Sequence, residues 1–452
     1  MSFIGLLADT MAMVDSSDDD EKAPSRQGQG PRERQHRVPS AQTKWWKMIT
    51  SESMNDEDSR NSRLFRRRYR VRFSRFKSLV EDTKSWLKPD GSPVFARLSA
   101  AGIDDAKTVF VEIKVMIVLR WLATGASFDL IGELSETGET TARVTCITWV
   151  TEFVHRRWTD FVYPPEGEEL KKVMKVFDRL GITGAAFSMD AVHVHWARCP
   201  VTRSNFCTGK EGYPTLAFNV AVTHSKRIIA ATSAQYGARN DKTLVKYDAF
   251  IDDVRSGKSL KTQPFRLRKK DGTCSEETKA YGICDGGYHR WACLQAVEKL
   301  ASDHDGAGFC KRIESVRKDV ENVFGIMKMR HRVLFGKFLL LDQKVVSDVF
   351  HSCCIIHNMC QIDEGWDARG EDERFWSREA PDSVASPFYE LDDEIIAPET
   401  VDDHTFVGAP EVPGAPEVTL IQEVELEYHE LRKKIVENFA VKRDERSLQW
   451  MR

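Results

Sequence analysis

Apolar positions recur with two different periods along this chain, and the change between them divides it. From residue 103 to 160 they fall at helical spacing. VFVEIKVMIVLRWLATG reads as one helix ending at Gly125, and SFDLIGEL begins a second, which a turn around Glu136, Thr137 and Gly138 joins to a third. That pair has the outline of a helix-turn-helix unit, an outline shared by many helical hairpins that bind nothing. Upstream, Arg60 to Lys77 interleaves Arg and Lys with Leu64, Phe65, Tyr69, Val71, Phe73 and Phe76, which predicts a helix with its aromatic side turned inward. PPEGEEL at 164–170 marks a boundary, and KKVMKVFDRLGI a short helix beyond it.

There the period falls to two. AAFSMDAVHVHW, TLAFNVAVTH and RIIAATSAQYG predict strands, with HSKR at 224–227 as the tight turn between the last two. DKTLVKYDAFIDDV predicts an amphipathic helix, and RSGKSLKTQPFRLRKKDGTCSEETK a basic, loop-like insertion. KAYGICD is a further strand and HRWACLQAVEKLA a further helix. RIESVRKDVENVFGIMKMRHRV and the mostly apolar DQKVVSDVFHSCCIIHNMCQI predict two helices, and VELEYHELRKKIVENFAVKRDER a charged closing one. The predicted division is a disordered polar tail over 1–42, a helical region over 43–165 and an α/β core over 166–362. An acidic linker over 363–418 and a C-terminal helix over 419–452 follow.

Composition changes this picture little. The net charge of −3 over 452 residues gives no global sign of a nucleic-acid partner, yet acidic stretches near both ends flank basic segments between them. Ten cysteines without a CxxC pair read as reduced thiols of an intracellular protein. The apolar start MSFIGLLADTMAM lacks a basic flank and cleavage site, so no signal peptide is expected, and no apolar run approaches a membrane span.

The chemistry lies in carboxylates far apart in sequence. Strand, strand, strand, helix, strand and a later helix is the order of a ribonuclease-H-like mixed sheet flanked by helices. Asp190 lies on the first strand, Asp285 just after the fourth and Glu321 on the following helix. Gathered at one sheet edge, such oxygen ligands suit Mg²⁺ or Mn²⁺ and in-line phosphodiester chemistry. Each also has a plain alternative. Asp190 would be an ordinary strand-edge polar residue, Asp285 the start of an Asp-Gly turn, and Glu321 a surface partner of Arg317 or Lys318. Asp241 is either an auxiliary metal ligand or a helix N-cap. DNA contacts are expected from Arg63, Arg66, Arg67, Arg68 and Arg70 of the basic segment and from Lys328 and Arg330; for the basic segment a solvated face or a nuclear-import signal is the alternative. His193 and His195 share the strand face opposite Asp190 and read as structural or close to DNA. Cys353, Cys354, His357 and Cys360 crowd one helix, which cannot wrap four ligands around zinc.

At MDAVHVHW, GYPTLAFNVAVTH with YGARNDK, CDGGYHRW, VENVFGIMKMRHRVL and CIIHNMC the chain resembles the PIF/Harbinger transposases of the DDE superfamily, roughly from Val109 to Asn358. The resemblance implies a nuclear enzyme that cuts double-stranded DNA at terminal inverted repeats and joins the ends to a target site. It implies metal ligation by Asp190, Asp285 and Glu321, with Asp241 at the family's aspartate after the third strand, and a Myb-like accessory protein. YGARND departs from the family's more usual glycine-serine-histidine-aspartate form, which leaves the role of Asp241 open. A homo-oligomer is expected, as is no membrane partner. The alternative is a host-recruited, non-catalytic DNA- or chromatin-binding protein that keeps the fold.

Overall fold

Aromatic packing sets the first corner of the chain. In the computed structural model, which describes residues 38–95, 109–298, 303–366, 418–445 and Leu448, helix α1 (Lys44–Ile49) starts on the Thr43 side chain, which accepts from Trp46 N–H at 3.2 Å. The expected basic helix is two helices, α2 (Arg60–Tyr69) and α3 (Phe73–Lys84). Arg70 takes a left-handed φ of 64° and donates its N–H to the Arg66 carbonyl, ending α2. A straight helix would hold Phe65 and Phe76 roughly 16 Å apart along its axis, whereas the corner brings their rings to 5.1 Å, with Phe73 at 5.3 Å from Phe65. Burying that cluster outweighs one strained residue.

Helix α4 (Val111–Thr124) stops at Gly125 as expected. Helices α5 (Phe128–Leu134) and α6 (Glu139–Phe161) follow, joined by a short turn, and then α7 (Gly167–Arg179). The central strand β1 (Ala185–Trp196) comes next, then α8 (Val201–Cys207), β2 (Thr215–Val222), β3 (Ile228–Ala231) and β4 (Gln235–Tyr236). The turn between β2 and β3 is closed by Thr223 and Arg227, with Lys226 at φ 70°.

Three expectations change beyond this point. The amphipathic helix after β4 is two short ones, α9 (Asp241–Val245) and α10 (Ala249–Arg255), because buried Asp248 caps the second through the N–H groups of Phe250 and Ile251. The insertion expected to be loop-like is an antiparallel hairpin, β5 (Lys261–Arg268) and β6 (Cys274–Lys279). Its basic composition hid an alternation in which Leu267 is buried. After β7 (Tyr281–Cys284), part of the stretch expected to be helical is instead strand β8 (Leu294–Ala296), whose backbone is claimed by β7. Helix α11 (His304–Arg330), the short β9 (Lys337–Phe338), helix α12 (Gln343–Glu364) and helix α13 (Val418–Asp444) complete the chain. Of the expected tail, Ser40–Gln42 form a 3-10 turn; residues 1–37 lie outside the described residues. Of the acidic linker, 363–366 belong to α12 and its end, and 367–417 lie outside the described residues.

The fold is α/β, a mixed sheet flanked by helices. The order is β3-β2-β1-β7-β8, with β4 beside β2 and β9 beside the end of β1. β1 runs antiparallel to β2 and parallel to β7 and β9. Alternation along β1 sends Val192, Val194 and Trp196 into one hydrophobic cluster with α12 and the N-terminal helices, while Phe187 and Met189 pack with α10. Phe218 of β2 stacks on Phe350 of α12 at 3.9 Å. α13 closes a third cluster, in which Ile435 and Phe439 meet Phe309, Ile313 and Tyr281. No described helix is long and apolar enough to cross a membrane.

An acidic clasp at the end of α12 ties the helices to the core. Glu364 meets Arg66 of α2 at 3.1 Å and Arg330 of α11 at 3.7 Å, and Asp363 binds Arg75 of α3 through both carboxylate oxygens. Arg330 is 4 % exposed, so Glu364→Gln leaves a buried guanidinium short of its carboxylate. We expect a loss of about 3 kcal/mol, read as a lower urea midpoint with an unchanged m-value.

Candidate active site

The sheet opens where the chemistry gathers. β7 pairs with β1 up to Ser188 opposite Ile283, and β9 joins only at His195. Asp190 lies in the gap between them. Continuing the β1–β7 register by two residues sets it level with Asp285, the first residue after β7. Asp285 Oδ1 accepts from Gly287 N–H at 2.8 Å, which fixes the carboxylate within its own turn. The helix cap beside it is Asn240, whose side chain accepts from Thr243 N–H at 2.9 Å. Of the two roles considered for Asp241, the cap is taken by its neighbour, which leaves the Asp241 carboxylate free to turn toward Asp285.

Gly287 measures how close they are. A Cβ there would lie 2.7 Å from Asp241 Oδ2 and 3.0 Å from Asp285 Oδ1. Only a residue without a side chain leaves both carboxylates in place. The charges feel one another. Burial, with Asp285 and Asp241 adding to it, pushes Asp190 up to about 6 although Ala191 N–H and Arg317 pull the other way. Asp241 is raised by burial and then by Asp285. The Tyr288 phenol, raised by burial and by the same acids, donates to Asn219 Oδ1 at 3.2 Å beneath the site.

Arg317 of α11 is the counter-charge. Its guanidinium reaches Asp190 Oδ2 at 2.9 Å and Glu321 Oε1 at 2.8 Å, one helical turn along. Burial alone would lower its pKa, but Asp190, Glu321 and Asp285 outweigh it and raise it. The structure thus brings together Asp190, Asp241 and Asp285, and links the more exposed Glu321 to them through Arg317. The helical-spacing pair with Arg317 considered for Glu321 is present, and it belongs to the site. Sequence reasoning passed over Arg317 as a site residue, though its place four residues before Glu321 was a usable signal. It also missed Lys210, whose charge acts on both Asp241 and His193.

Among the described residues, no group of three His, Cys, Asp or Glu side chains stands ready as a metal-ligand set. The donors still fit a hard divalent cation. They are oxygen only, Gly287 keeps the space between two of them clear, and Asp190 and Asp241, raised by burial and then by neighbouring acids, carry an electrostatic cost that a cation would relieve. Arg317 occupies that electrostatic role here.

The expected DNA contacts fare unevenly. Arg330 is buried against Glu364 and the His357 carbonyl, and Arg66 is held by Glu364, so the clasp engages both. Arg330 is corrected from a phosphate contact to a core residue. Arg63, Arg67 and Arg68 lie on the exposed side of α2, and Arg70 forms its left-handed end. Lys328 of α11 is half-buried, with Glu211 nearby. The α5–α6 tip exposes Asp129, Glu133 and Glu139, charges that repel phosphate, and α6 is an internal strut whose Trp149 Nε1 donates to Thr83 Oγ1 at 3.0 Å. His193 shares a hydrogen bond with Thr215 Oγ1, and His195 lies against Tyr213 with ring centroids 4.2 Å apart. Cys353, Cys354, His357 and Cys360 are buried in the core, with His357 Nε2 bonded to the Lys226 carbonyl.

Residues 159–368 match a family described as plant transposon proteins, and this span contains all four carboxylates. No curated protein and no solved structure matched the chain. Over that span the chain is similar to plant transposon proteins.

Two outcomes follow from this geometry. Gly287→Ala should weaken Mn²⁺ binding about tenfold, as displaced ligand shells do, with an unchanged circular dichroism spectrum; calorimetry reads it. The raised pKa of Asp190 means the folded state holds its proton more tightly than the unfolded chain, so this group's contribution to stability falls as pH rises between roughly 4 and 6. Asp190→Asn should flatten that slope and be the more stable protein at pH 8. Asp248, also raised to about 6 by burial, titrates in both proteins and cancels in the difference.

Proposed function

We propose that this protein is a metal-dependent DNA endonuclease of the transposase kind, close to the PIF/Harbinger type, that cuts transposon ends and joins them to target DNA. One observation carries the reading: Asp190, Asp241 and Asp285 converge at the gap in the edge of the central strand, inside the span that matches plant transposon proteins. The strand order, with β1, β7 and β8 parallel and β2 antiparallel to both β1 and β3, supports a ribonuclease-H-like core.

Asp190, Asp285 and Glu321, with Asp241 as a further ligand, would hold Mg²⁺ or Mn²⁺. When bound, such a cation supplies Lewis-acid stabilisation to the phosphodiester under attack. The chain's own residues do the rest. The Asp285 turn and the start of α9 hold two acids at a fixed separation, so little reorganisation is needed. Arg317, paired with Asp190 and Glu321, would offer its planar fork to a phosphate oxygen beside the acids. Double-stranded DNA with terminal inverted repeats, a Myb-like accessory protein, a homo-oligomeric assembly and a nuclear location belong to the same proposal.

Cleavage of supercoiled plasmid carrying candidate terminal repeats tests it, with Mg²⁺ or Mn²⁺ and the accessory protein supplied. Wild type should nick the plasmid. Asp190→Asn and Asp285→Asn should each lose about a hundredfold or more in rate, the scale of several kcal/mol of charge stabilisation, and Glu321→Gln should also fall. Folded variants that cut like wild type would refute the site. Specific binding without any cutting would point to a recruited, non-catalytic DNA-binding protein.

A further inference from the structure

Near the carboxylates in the chain runs a ladder of π groups that is anchored on the core at Tyr236 and exposed at its ends. Phe206 of α8 and Tyr247, in the link between α9 and α10, are each 62 % exposed. Phe206 lies against Tyr236 with ring centroids 6.1 Å apart. The Arg239 guanidinium sits 5.6 Å from the Tyr236 ring and 4.4 Å from the Tyr247 ring, joining the two. Arg239 is fixed in turn by Gln235 Oε1, which accepts from its Nη1 at 3.1 Å. Water-facing aromatic surface is costly unless it serves a contact.

The ladder is rigid and well placed. Ala238 N–H donates to the Phe206 carbonyl at 3.1 Å. The backbones beneath it nearly touch, since a Cβ on Gly209 would lie 2.7 Å from the Gly237 carbonyl. Arg239 precedes Asp241 by two residues, which ties the ladder to the acid cluster along the chain. Exposed Arg203, Lys210, Lys242 and Lys246 surround it, against Glu211 and the carboxylate of Asp241 itself. Flat π faces interleaved with cations are what a nucleic-acid strand with unpaired bases recognises. A continuous duplex hides its base faces and would use only the cations.

We propose that Phe206, Tyr236, Arg239 and Tyr247 form a stacking platform for unpaired bases of a DNA strand led toward Asp241. The inference rests on the DNA-cutting reading above and adds the state of the DNA: opened at the point of entry. The platform would then select frayed or melted ends over intact duplex.

Binding measured in EDTA separates this from cutting. The probes are a labelled single-stranded oligonucleotide and the blunt duplex of the same sequence, followed by fluorescence anisotropy. Tyr247→Ala and Phe206→Ala should each weaken single-strand binding about tenfold, the scale of one lost base stack, and duplex binding less than about twofold. Tyr247→Phe, which keeps the ring, should bind like wild type. Equal losses on both probes, no loss, or no single-strand binding by wild type at low salt would overturn the platform. Loss of self-association in light scattering with unchanged DNA binding would overturn it in favour of a contact with a second copy. If plasmid cutting fails while this binding pattern holds, the nuclease reading falls and the platform stands.

Discussion

The structure depends on how the two edges of β1 are satisfied. Along one edge β2 pairs with it from Ser188 to His195 without a break. Along the other, β7 and β9 cover only its two ends. A buried strand must place its N–H and C=O groups somewhere, and the gap is tolerable because polar groups and solvent reach it there. The interruption that weakens the sheet thus makes room for Asp190 and for the turn that carries Asp285. Strand pairing and site are one design. Closing the gap with continuous β7 pairing would strengthen the ladder and remove the cleft.

Electrostatics at this spot work against the fold. Three carboxylates share a partly buried space, two of them with pKa values raised by burial and by their neighbours. One guanidinium, that of Arg317, is paired with Asp190 there. Natural proteins keep such arrangements where function needs them and stabilise the molecule elsewhere. Here the offset comes from the continuous cluster of α4, α6 and α12 and from the acidic clasp on Arg66, Arg75 and Arg330.

Much of this was legible in the chain. Period-two runs located β1, β2 and β3, helical spacing located α4, α6 and α12, and Gly125 marked a helix end correctly. The misses share one cause, a local signal overruled by a longer-range partner. The charge pattern of Arg60–Lys77 said one helix, and the packing of Phe65 on Phe76 made two. Leu294–Ala296 looked helical until β7 supplied a ladder for it. For Asp241 the sequence left helix cap and auxiliary ligand both open, and Asn240 one residue earlier took the capping hydrogen bond. Arg330 read as a surface cation because its partner, Glu364, lies on another helix. The convergence of Asp190 with Asp285 was readable from element order. The central place of Asp241 and the reach of Arg317 across to Asp190 needed coordinates, since neither follows from spacing along one element.

The same long strand carries a cost during synthesis. β1, β2 and β3 are consecutive, so they can zip together as soon as residue 231 has left the ribosome. The parallel neighbour of β1 begins only at residue 281, and the β5–β6 hairpin must be made and set aside first. Until then the flank of β1 from Ala185 to Ser188 is an unpaired template for any passing strand. Non-local parallel pairing closes slowly, and half-made chains crowded on one message would find one another at that flank. The geometry that gathers distant acids at one place therefore leaves that flank of the newborn chain unpaired until the later strands are made.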